Sequence, residues 1–240
     1  MAAIPLRERR RADTVAEIKS IALAHLAAGG PDALSLRAVA RDVGVSVQAL
    51  YHYFDSRDAL ITALVTDAFI LLGDAVASGG ASGSTRVERI VGAGLAYRRW
   101  AYDHRAAFLL ALGVPLPDYA APEEGPTVDA AARMGRAFQD IVFGGWTDEE
   151  LQAVPLLGTD APAPARDAPA VAPPASRKEE LEALPAGALA LFVDGWASLH
   201  GFVMLEAHGH LSWLGERGEQ TCLAVLTGYA QKVERVRAGC

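Results

Sequence analysis

The chain has 240 residues, 51% of them hydrophobic and 21% charged, which is enough for one small and one medium domain with a real core. Its formal net charge of −7 excludes a uniformly basic nucleic-acid binder. Cys222 and Cys240 are too few for a disulfide framework, so we expect a reduced, cytoplasmic protein. We expect neither a signal peptide nor a membrane span, since no apolar stretch approaches the roughly 18 uncharged residues that a span needs.

The charge is unevenly distributed along the chain. Residues 1–60 carry eight Lys/Arg and seven Asp/Glu, whereas the remaining residues carry 14 and 22. Near the N-terminus, Arg7, Arg9, Arg10 and Arg11 are accompanied only by Glu8. A basic start followed by an acidic body is typical of a protein that places one end on phosphate. We expect the arginines to form a flexible arm that reaches the DNA backbone or the minor groove.

The first 56 residues predict three helices. Apolar residues recur at three- and four-residue spacing from Thr14, a favoured N-cap residue, to Gly30. A second helix follows Ser35 and ends at Gly44. Ser46 opens a third helix that stops near residues 55–56. We assign residues 1–56 to one domain.

The sequence of residues 57–240 predicts a larger helical domain. A long helix follows residue 56, and a Ser/Gly run at 78–84 is expected to interrupt it. Residues 155–174 hold six of the 13 prolines and much alanine, so they predict a mobile connection. The other predicted helices cover 86–100, 105–112, 128–143, 179–210 and 216–237. No alternating strand pattern occurs, so the expected fold is all-α with about nine helices.

The run from Leu34 to Phe54 has the mechanics of a helix-turn-helix. Gly44 supplies a left-handed turn, which would cost a side chain about 1 kcal/mol. Ser46 caps the third helix, and Leu50 and Phe54 point inward from it. That helix is short enough for a major groove of about 12 Å. Its outward positions are Val47, Gln48, Tyr51, His52 and Asp55.

From Thr14 to about Leu64 the chain resembles the DNA-binding domain of the TetR/AcrR family of transcriptional regulators. The resemblance rests on four segments in the right order, which are Ser35-Leu36-Arg37, Gly44-Val45-Ser46, Leu50-Tyr51-His52-Tyr53-Phe54 and Ser56-Arg57-Asp58-Ala59-Leu60. This combination is far more specific than a bare helix-turn-helix pattern. It implies a double-stranded DNA partner.

The resemblance also implies roles for single residues. Val47, Gln48 and His52 would face base edges, with Gln48 pairing to adenine and Val47 touching a thymine methyl group. Other residues of the expected DNA-binding surface would hold phosphates or cap the recognition helix. They are Ser35, Arg37, Ser46, Tyr51, Tyr53 and Arg57. An alternative remains open, in which the two tyrosines are packed aromatics and His52 is an ordinary surface histidine.

The second domain resembles the family more weakly. Trp196, His200 and Gly201 match the tryptophan–histidine–glycine signature of one TetR subclass, which implies that they lie on the eighth helix. The family forms a homodimer through its last two long helices, so the partner is a second copy and the operator a palindrome. The residues spaced for that dimer interface are Leu199, Val203, Leu223, Leu226 and Tyr229.

The resemblance further implies an effector pocket among the fifth to eighth helices. The candidate residues are Tyr97, Trp100, Phe108, Phe138, Val142, Phe143, Trp146, Trp196 and His200. Such apolar residues are equally typical of a packed core. Charged candidates are limited to 103–105, which we interpret as a solvent-facing corner. A small, largely apolar effector is therefore expected.

Other chemistry finds little support in the sequence. Glu206, His208 and His210 are two residues apart and do not share a helix face, so no metal site is expected. No cofactor motif or catalytic constellation occurs, so we predict no enzyme. Cys222 is interpreted as core. The leading hypothesis is a ligand-responsive regulator, in this family usually a repressor. The alternative is a DNA-binding adaptor or architectural protein without an effector.

Overall fold

The computed structural model describes residues 5–30, 34–113, 116, 119–156 and 184–240. Within these residues no strand occurs, which confirms the all-α prediction. The described part holds ten α-helices, close to the nine expected, and a 3₁₀ helix at Ser212–Arg217. The α-helices are α1 (Leu6–Gly29), α2 (Leu36–Val43), α3 (Val47–Tyr51), α4 (Arg57–Ala81), α5 (Arg86–Asp103), α6 (Arg105–Leu112), α7 (Pro126–Phe143), α8 (Asp148–Ala153), α9 (Ala186–Ala207) and α10 (Gly218–Ala238).

The chain divides into two compact units. The first comprises Met1–Ala68 and His104–Pro122, and the second comprises Phe69–Asp103 and Glu123–Cys240. The division falls within α4 and not at residue 56, because the start of α4 and all of α6 belong to the first unit. In the first unit, α6 lies against α1 and α2 lies against both α1 and α3.

The first helix begins earlier than the sequence pattern suggested. α1 starts at Leu6, so Thr14 lies inside the helix and its hydroxyl donates to the Arg10 carbonyl at 2.9 Å. Arginine is a good helix former, and its run upstream of Thr14 extends the helix. The expected flexible arm is therefore wrong for residues 6–11, which form the first turns of α1 with exposed side chains.

The glycine-rich run at 78–84 does not interrupt α4 where the sequence suggested. α4 continues to Ala81, and α5 begins at Arg86. A Cβ atom at Gly79 would lie 2.6 Å from the Ala96 Cβ and from the Gly92 carbonyl oxygen. Gly79 therefore allows α4 and α5 to cross closely, and this contact offsets a helix-propensity cost of about 1 kcal/mol.

The core of the second unit forms where α5 packs on α7, α9 and α10. Arg86 holds this core at one end, because its guanidinium donates to the carbonyls of Val142 (2.6 Å) and Gly144 (3.0 Å) at the end of α7. It also forms an ion pair with Glu234 of α10 at 2.9 Å. The buried side chains that surround this end are Ile90, Val142, Phe143, Val154, Ala188, Leu191, Ala230 and Val233.

The short helix α8 was not predicted. Its start carries a capping box, in which the Thr147 hydroxyl accepts from the Glu150 amide at 3.1 Å and the Glu150 carboxylate accepts from the Thr147 amide at 2.8 Å. Because α8 intervenes, the helix expected to be the eighth is α9. The predicted mobile connection at 155–174 lies outside the described residues except for Pro155 and Leu156.

Two helices are long and apolar enough to span a membrane by length and composition alone, against the expectation from the sequence. They are Arg57–Ala81 and Ala186–Ala207, and a core helix of a soluble protein passes the same test. In α4, 56% of the apolar window is buried, so packing accounts for most of its apolar character. In α9 only 22% is buried, so this helix leaves an apolar face uncovered in the described chain.

Candidate DNA-binding surface and effector pocket

The turn between α2 and α3 has the geometry that the sequence predicts. Gly44 adopts φ 80° and ψ 25°, in the left-handed region that favours glycine. The Val45 amide then donates to the Ala40 carbonyl at 2.9 Å, which closes the end of α2. The Ser46 hydroxyl accepts from the Ala49 amide at 3.1 Å and so caps α3.

The faces of α3 are also as expected. Leu50 is fully buried and Phe54, just beyond the helix, is nearly so. Gln48, Tyr51 and His52 are exposed, with Tyr51 at 48% of its full surface. An exposed tyrosine of this size is not a core residue, which argues against the interpretation of Tyr51 as a packed aromatic.

The expected phosphate-binding residues surround α3. Ser35 occupies the N-cap position of α2, yet its hydroxyl makes no capping hydrogen bond. Arg37 is exposed on the first turn of α2. Arg57 lies at the start of α4, where its Nε donates to the Leu34 carbonyl at 3.2 Å. The contacts of these residues with DNA stay predictions.

In the sequence, nothing distinguishes Arg11 from the other arginines near the N-terminus. Its Nη2 donates to the His52 carbonyl at 3.4 Å, and its guanidinium carbon lies 5.1 Å from the centroid of the Tyr53 ring. Arg11 therefore joins α1 to the end of the recognition helix. Only the tertiary structure reveals this pairing, because the two segments are 41 residues apart.

Two further pairs fix α1 within the first unit. Lys19 of α1 binds Asp67 of α4 at 2.6 Å, and His25 of α1 contacts Asp42 of α2 at 2.7 Å. Hydrogen bonds from the neighbouring Arg41 and from His25 lower the pKa of the Asp42 carboxyl. These contacts hold the helices that support α3.

The second unit contains a small apolar pocket with a cavity volume of about 30 Å³, and the wider space of about 420 Å³ around it includes open solvent. Among the described residues that line it, none is charged. Three expected pocket residues line it, namely Phe138, Val142 and Trp196. The other lining residues are Ile90, Ala93, Gly94, Ile141, Phe192, Gly195, Leu199, Leu226 and Tyr229.

The structure places the other expected pocket residues elsewhere. Phe108 is fully buried in the first unit, and Trp100 is buried in α5 without lining the pocket. Phe143 and Trp146 pack edge to face with centroids 5.5 Å apart at the core end described above. Apolar periodicity predicted burial correctly for Trp100, Phe108 and Phe143, while Trp146 is half-buried. The periodicity could not separate a pocket wall from a core.

Tyr97 and His200 lie behind the pocket wall. The Tyr97 hydroxyl and His200 Nδ1 are 2.8 Å apart, and His200 stacks on Trp196 with centroids 5.1 Å apart. Tyr97 is fully buried and meets Phe138 and Trp196 edge to face. Since Phe138 and Trp196 line the pocket, this cluster sets the orientation of two of its aromatic walls.

The expected dimer residues are mostly internal. Leu199, Leu226 and Tyr229 line the pocket, and Val203 is 2% exposed, so these side chains face their own chain. Only Leu223 is exposed, at 41%. The sequence showed which positions of α9 and α10 are apolar, but it did not show which of their apolar faces is inward.

Tyr229 packs directly against the backbone of α9. Its hydroxyl donates to the Leu191 carbonyl at 3.1 Å, and burial raises the pKa of the phenol, which keeps it a neutral donor. A Cβ atom at Gly195 would overlap the Tyr229 ring. Glycine at 195 therefore makes room for one wall of the pocket.

Gly195→Ala is expected to destabilise the protein by about 1–3 kcal/mol, because the Tyr229 ring must move or the helices must separate. Thermal unfolding measures this effect. Gly135→Ala is the matched control. Gly135 lies inside α7, and a Cβ atom there would meet nothing within 4 Å. It should stabilise by up to about 1 kcal/mol through helix propensity. Equal melting temperatures for the two variants would contradict the packing role of Gly195.

The polar groups near the end of α9 have structural partners. Arg98 holds Glu206 through two hydrogen bonds of 2.7 and 2.9 Å. His208 and His210 stack on each other with centroids 6.2 Å apart. Within the described residues, no group of three metal-ligating side chains occurs. Burial raises the pKa of the Cys222 thiol to about 11, so the thiol is protonated near neutral pH.

An exposed, capped recognition helix in one helical unit and a pocket in another define a helix-turn-helix transcriptional regulator. A family model described as "Bacterial regulatory proteins, tetR family" matches residues 20–64, and one described as "Tetracyclin repressor-like, C-terminal domain" matches residues 90–229. The chain belongs to the TetR family, as the sequence resemblance indicated.

Individual relatives agree with this assignment. The HTH-type transcriptional regulators Rv1816 of Mycobacterium tuberculosis and Mb1846 of Mycobacterium bovis are 34% identical over 141 residues, which is 58% of this chain and 60% of theirs. The match thus spans less than two thirds of these curated relatives. Among solved structures, the protein SCO4313 is 31% identical, the match covers 94% of this chain and 98% of SCO4313, and the TM-score is 0.69. The TetR family regulator PfmR from Thermus thermophilus, at 14% identity, 89% and 97% coverage and a TM-score of 0.54, shares the fold.

Proposed function

We propose that the protein is a ligand-responsive repressor that binds a palindromic operator as a homodimer and is released by a small, uncharged, largely apolar effector. The observation that carries this proposal is the presence on one chain of an exposed recognition helix and a pocket without charged lining residues. The apolar pocket favours an effector-binding regulator over an architectural DNA-binding protein, and its cavity volume of about 30 Å³ requires the pocket walls to move apart when an effector enters.

The DNA-binding part of the proposal rests on the exposed side of α3. Gln48 presents an amide that can pair with both major-groove atoms of adenine, and Val47 lies beside it with a half-buried side chain. Ser35, Tyr51 and Arg57 supply phosphate contacts that set the register. In this division of roles, Gln48 determines which DNA sequence is preferred, whereas the phosphate contacts contribute affinity for any duplex.

The homodimer part rests on the uncovered face of α9. Val193 and Leu205 are 46% and 45% exposed, and Ala197 and Gly201 lie between them at four-residue spacing. A Cβ atom at Gly201 would meet nothing within 4 Å in its own chain, so this glycine serves no close approach inside the subunit. We infer that the α9 stripe of Val193, Ala197, Gly201 and Leu205, together with Leu223 of α10, packs on a second copy.

The effector class follows from the lining of the pocket. A charged ligand would lose its hydration without gaining an ion pair, which costs several kcal/mol. Trp196, Phe138 and Phe192 offer ring faces and edges to an aromatic or alicyclic molecule. The Tyr229 ring lines the same pocket, while its hydroxyl donates to the Leu191 carbonyl. The pocket thus favours an uncharged molecule with a ring system.

The route from effector to DNA is proposed to be α4. This helix is continuous from Arg57 to Ala81 and contributes to both compact units. An effector can change DNA affinity only through its different affinities for the DNA-competent and the released arrangement. A displacement of α4 would change the separation of the two recognition helices in the dimer.

The test of DNA binding is fluorescence anisotropy with the DNA that flanks the gene of this protein, beside a scrambled duplex and across a salt series. Tight, salt-sensitive binding that prefers the flanking DNA is expected. Equal binding to both duplexes would place the operator elsewhere in the genome. Absence of binding to either duplex at low salt would overturn the proposed function.

The test of effector response is release of the protein from its preferred duplex by matched compounds. Neutral ring compounds are expected to lower the DNA affinity, and their carboxylate analogues are expected to have no effect at equal concentration. The physical reason is the absence of a charged partner among the described lining residues. Release by the carboxylates alone would contradict the assigned effector class.

A further inference from the structure

We infer that Arg11 is a positioning residue for DNA recognition, which holds the end of the recognition helix through the His52 carbonyl and the Tyr53 ring. This inference rests on the proposed DNA-binding function and adds to it a residue outside the helix-turn-helix. Arg11 lies on α1, and its two contacts reach across 41 and 42 positions of sequence to the end of α3.

The recognition helix is short, which makes its end easy to displace. α3 comprises only Val47–Tyr51, with His52 as its C-cap residue. The last carbonyl groups of a helix lack partners within that helix. Arg11 Nη2 donates to one of them, the His52 carbonyl, at 3.4 Å. A charged donor strengthens this contact and opposes fraying at the helix end.

The second contact fixes the side chain that follows. The guanidinium carbon of Arg11 lies 5.1 Å from the Tyr53 ring centroid, within the range of a cation–π interaction. Tyr53 is half-buried, so its ring is held between the interior and the arginine. The guanidinium group therefore restrains both the backbone at His52 and the ring at Tyr53.

The neighbouring arginines separate this role from simple charge. Arg9 is also exposed on the first turns of α1, two residues before Arg11. At about 100° per residue, its side chain leaves the helix about 160° from that of Arg11. Arg9 thus carries the same charge at nearly the same distance along the helix but points to the opposite side. It is the matched control.

The experiment compares Arg11→Gln with Arg9→Gln in the full chain. The probes are duplexes enriched by the wild-type protein from a library with a randomised centre, and a scrambled duplex of equal composition. Arg11→Gln is expected to lower the ratio of specific to non-specific affinity about fivefold, as two contacts of this kind suggest. Arg9→Gln should lower both affinities alike and leave the ratio unchanged. Equal ratios for the two variants would overturn the inference.

Two more variants separate positioning from charge and from folding. Arg11→Lys keeps the charge but loses the planar group, so it should retain the salt dependence of binding and still lose discrimination. Full discrimination by Arg11→Lys would overturn the inference, even if Arg11→Gln fails to fold. Tyr53→Leu removes the aromatic ring, so it should lower the ratio and add nothing to Arg11→Gln. A wild-type protein without any preferred duplex would instead refute the proposed function itself.

Discussion

Gln48→Ala is expected to weaken binding to the preferred duplex by about 1–3 kcal/mol, or roughly 5- to 150-fold. The exposed Gln48 amide follows the capped start of α3, where it can donate to and accept from one adenine. Removal of the amide leaves the base edge without its partner. Binding to a scrambled duplex, which depends on phosphate contacts, should hardly change. Anisotropy titrations with both duplexes measure the difference.

The matched control is Gln152→Ala. Gln152 is an exposed glutamine on α8 of the second unit, so the same change of side chain is made away from the recognition helix. Both affinities should equal those of the wild type. If Gln48→Ala lowers the affinity for both duplexes by the same factor, Gln48 contacts the DNA backbone and not a base. If the substitution lowers neither affinity, Gln48 does not contribute to DNA binding by α3.

Leu205→Glu is expected to convert the dimer into monomers. Leu205 is exposed in the chain, so a carboxylate there costs the isolated subunit little. In the proposed dimer, two-fold symmetry places one new carboxylate from each subunit in the apolar interface. An unpaired charge there costs several kcal/mol. The dissociation constant of the dimer should rise at least about 100-fold, since each 1.4 kcal/mol is a factor of ten. Sedimentation or light scattering measures it.

Leu71→Glu is the control for this change. Leu71 is 54% exposed on α4, outside the stripe on α9, and its substitution introduces the same charge. This variant should remain dimeric. The Leu205→Glu monomer should also bind a palindromic duplex less tightly, because only one recognition helix engages at a time. A dimeric Leu205→Glu protein would show that subunits associate through another surface.

The recognition helix was predictable from the sequence because its determinants are local. A left-handed turn at Gly44 and a cap at Ser46 involve residues within a few positions of each other. Their chemistry therefore appears directly in the order of residues. Leu50 was expected to be inward and is fully buried, since one helix can bury only one face against its neighbours.

The glycines show where local reasoning fails. A run of glycine and serine at 78–84 is typical of a break, yet α4 passes through Gly79 because α5 packs tightly against it. In the same way, glycine at 195 makes room for Tyr229, whereas Gly201 faces away from its own chain. The same residue type thus has three different surroundings. Which one applies depends on a neighbour that is distant in sequence.

The sequence by itself determined the all-α class, the helix-turn-helix and the apolar positions of the last two helices. The tertiary structure alone decided which apolar residues line a pocket and which face outward. Tyr229 and Leu226 were expected between subunits and line the pocket, whereas Val193 and Leu205 are exposed. The physical reason is that periodicity shows which residues avoid water, while the partner that covers each face is set by the packing of the other helices.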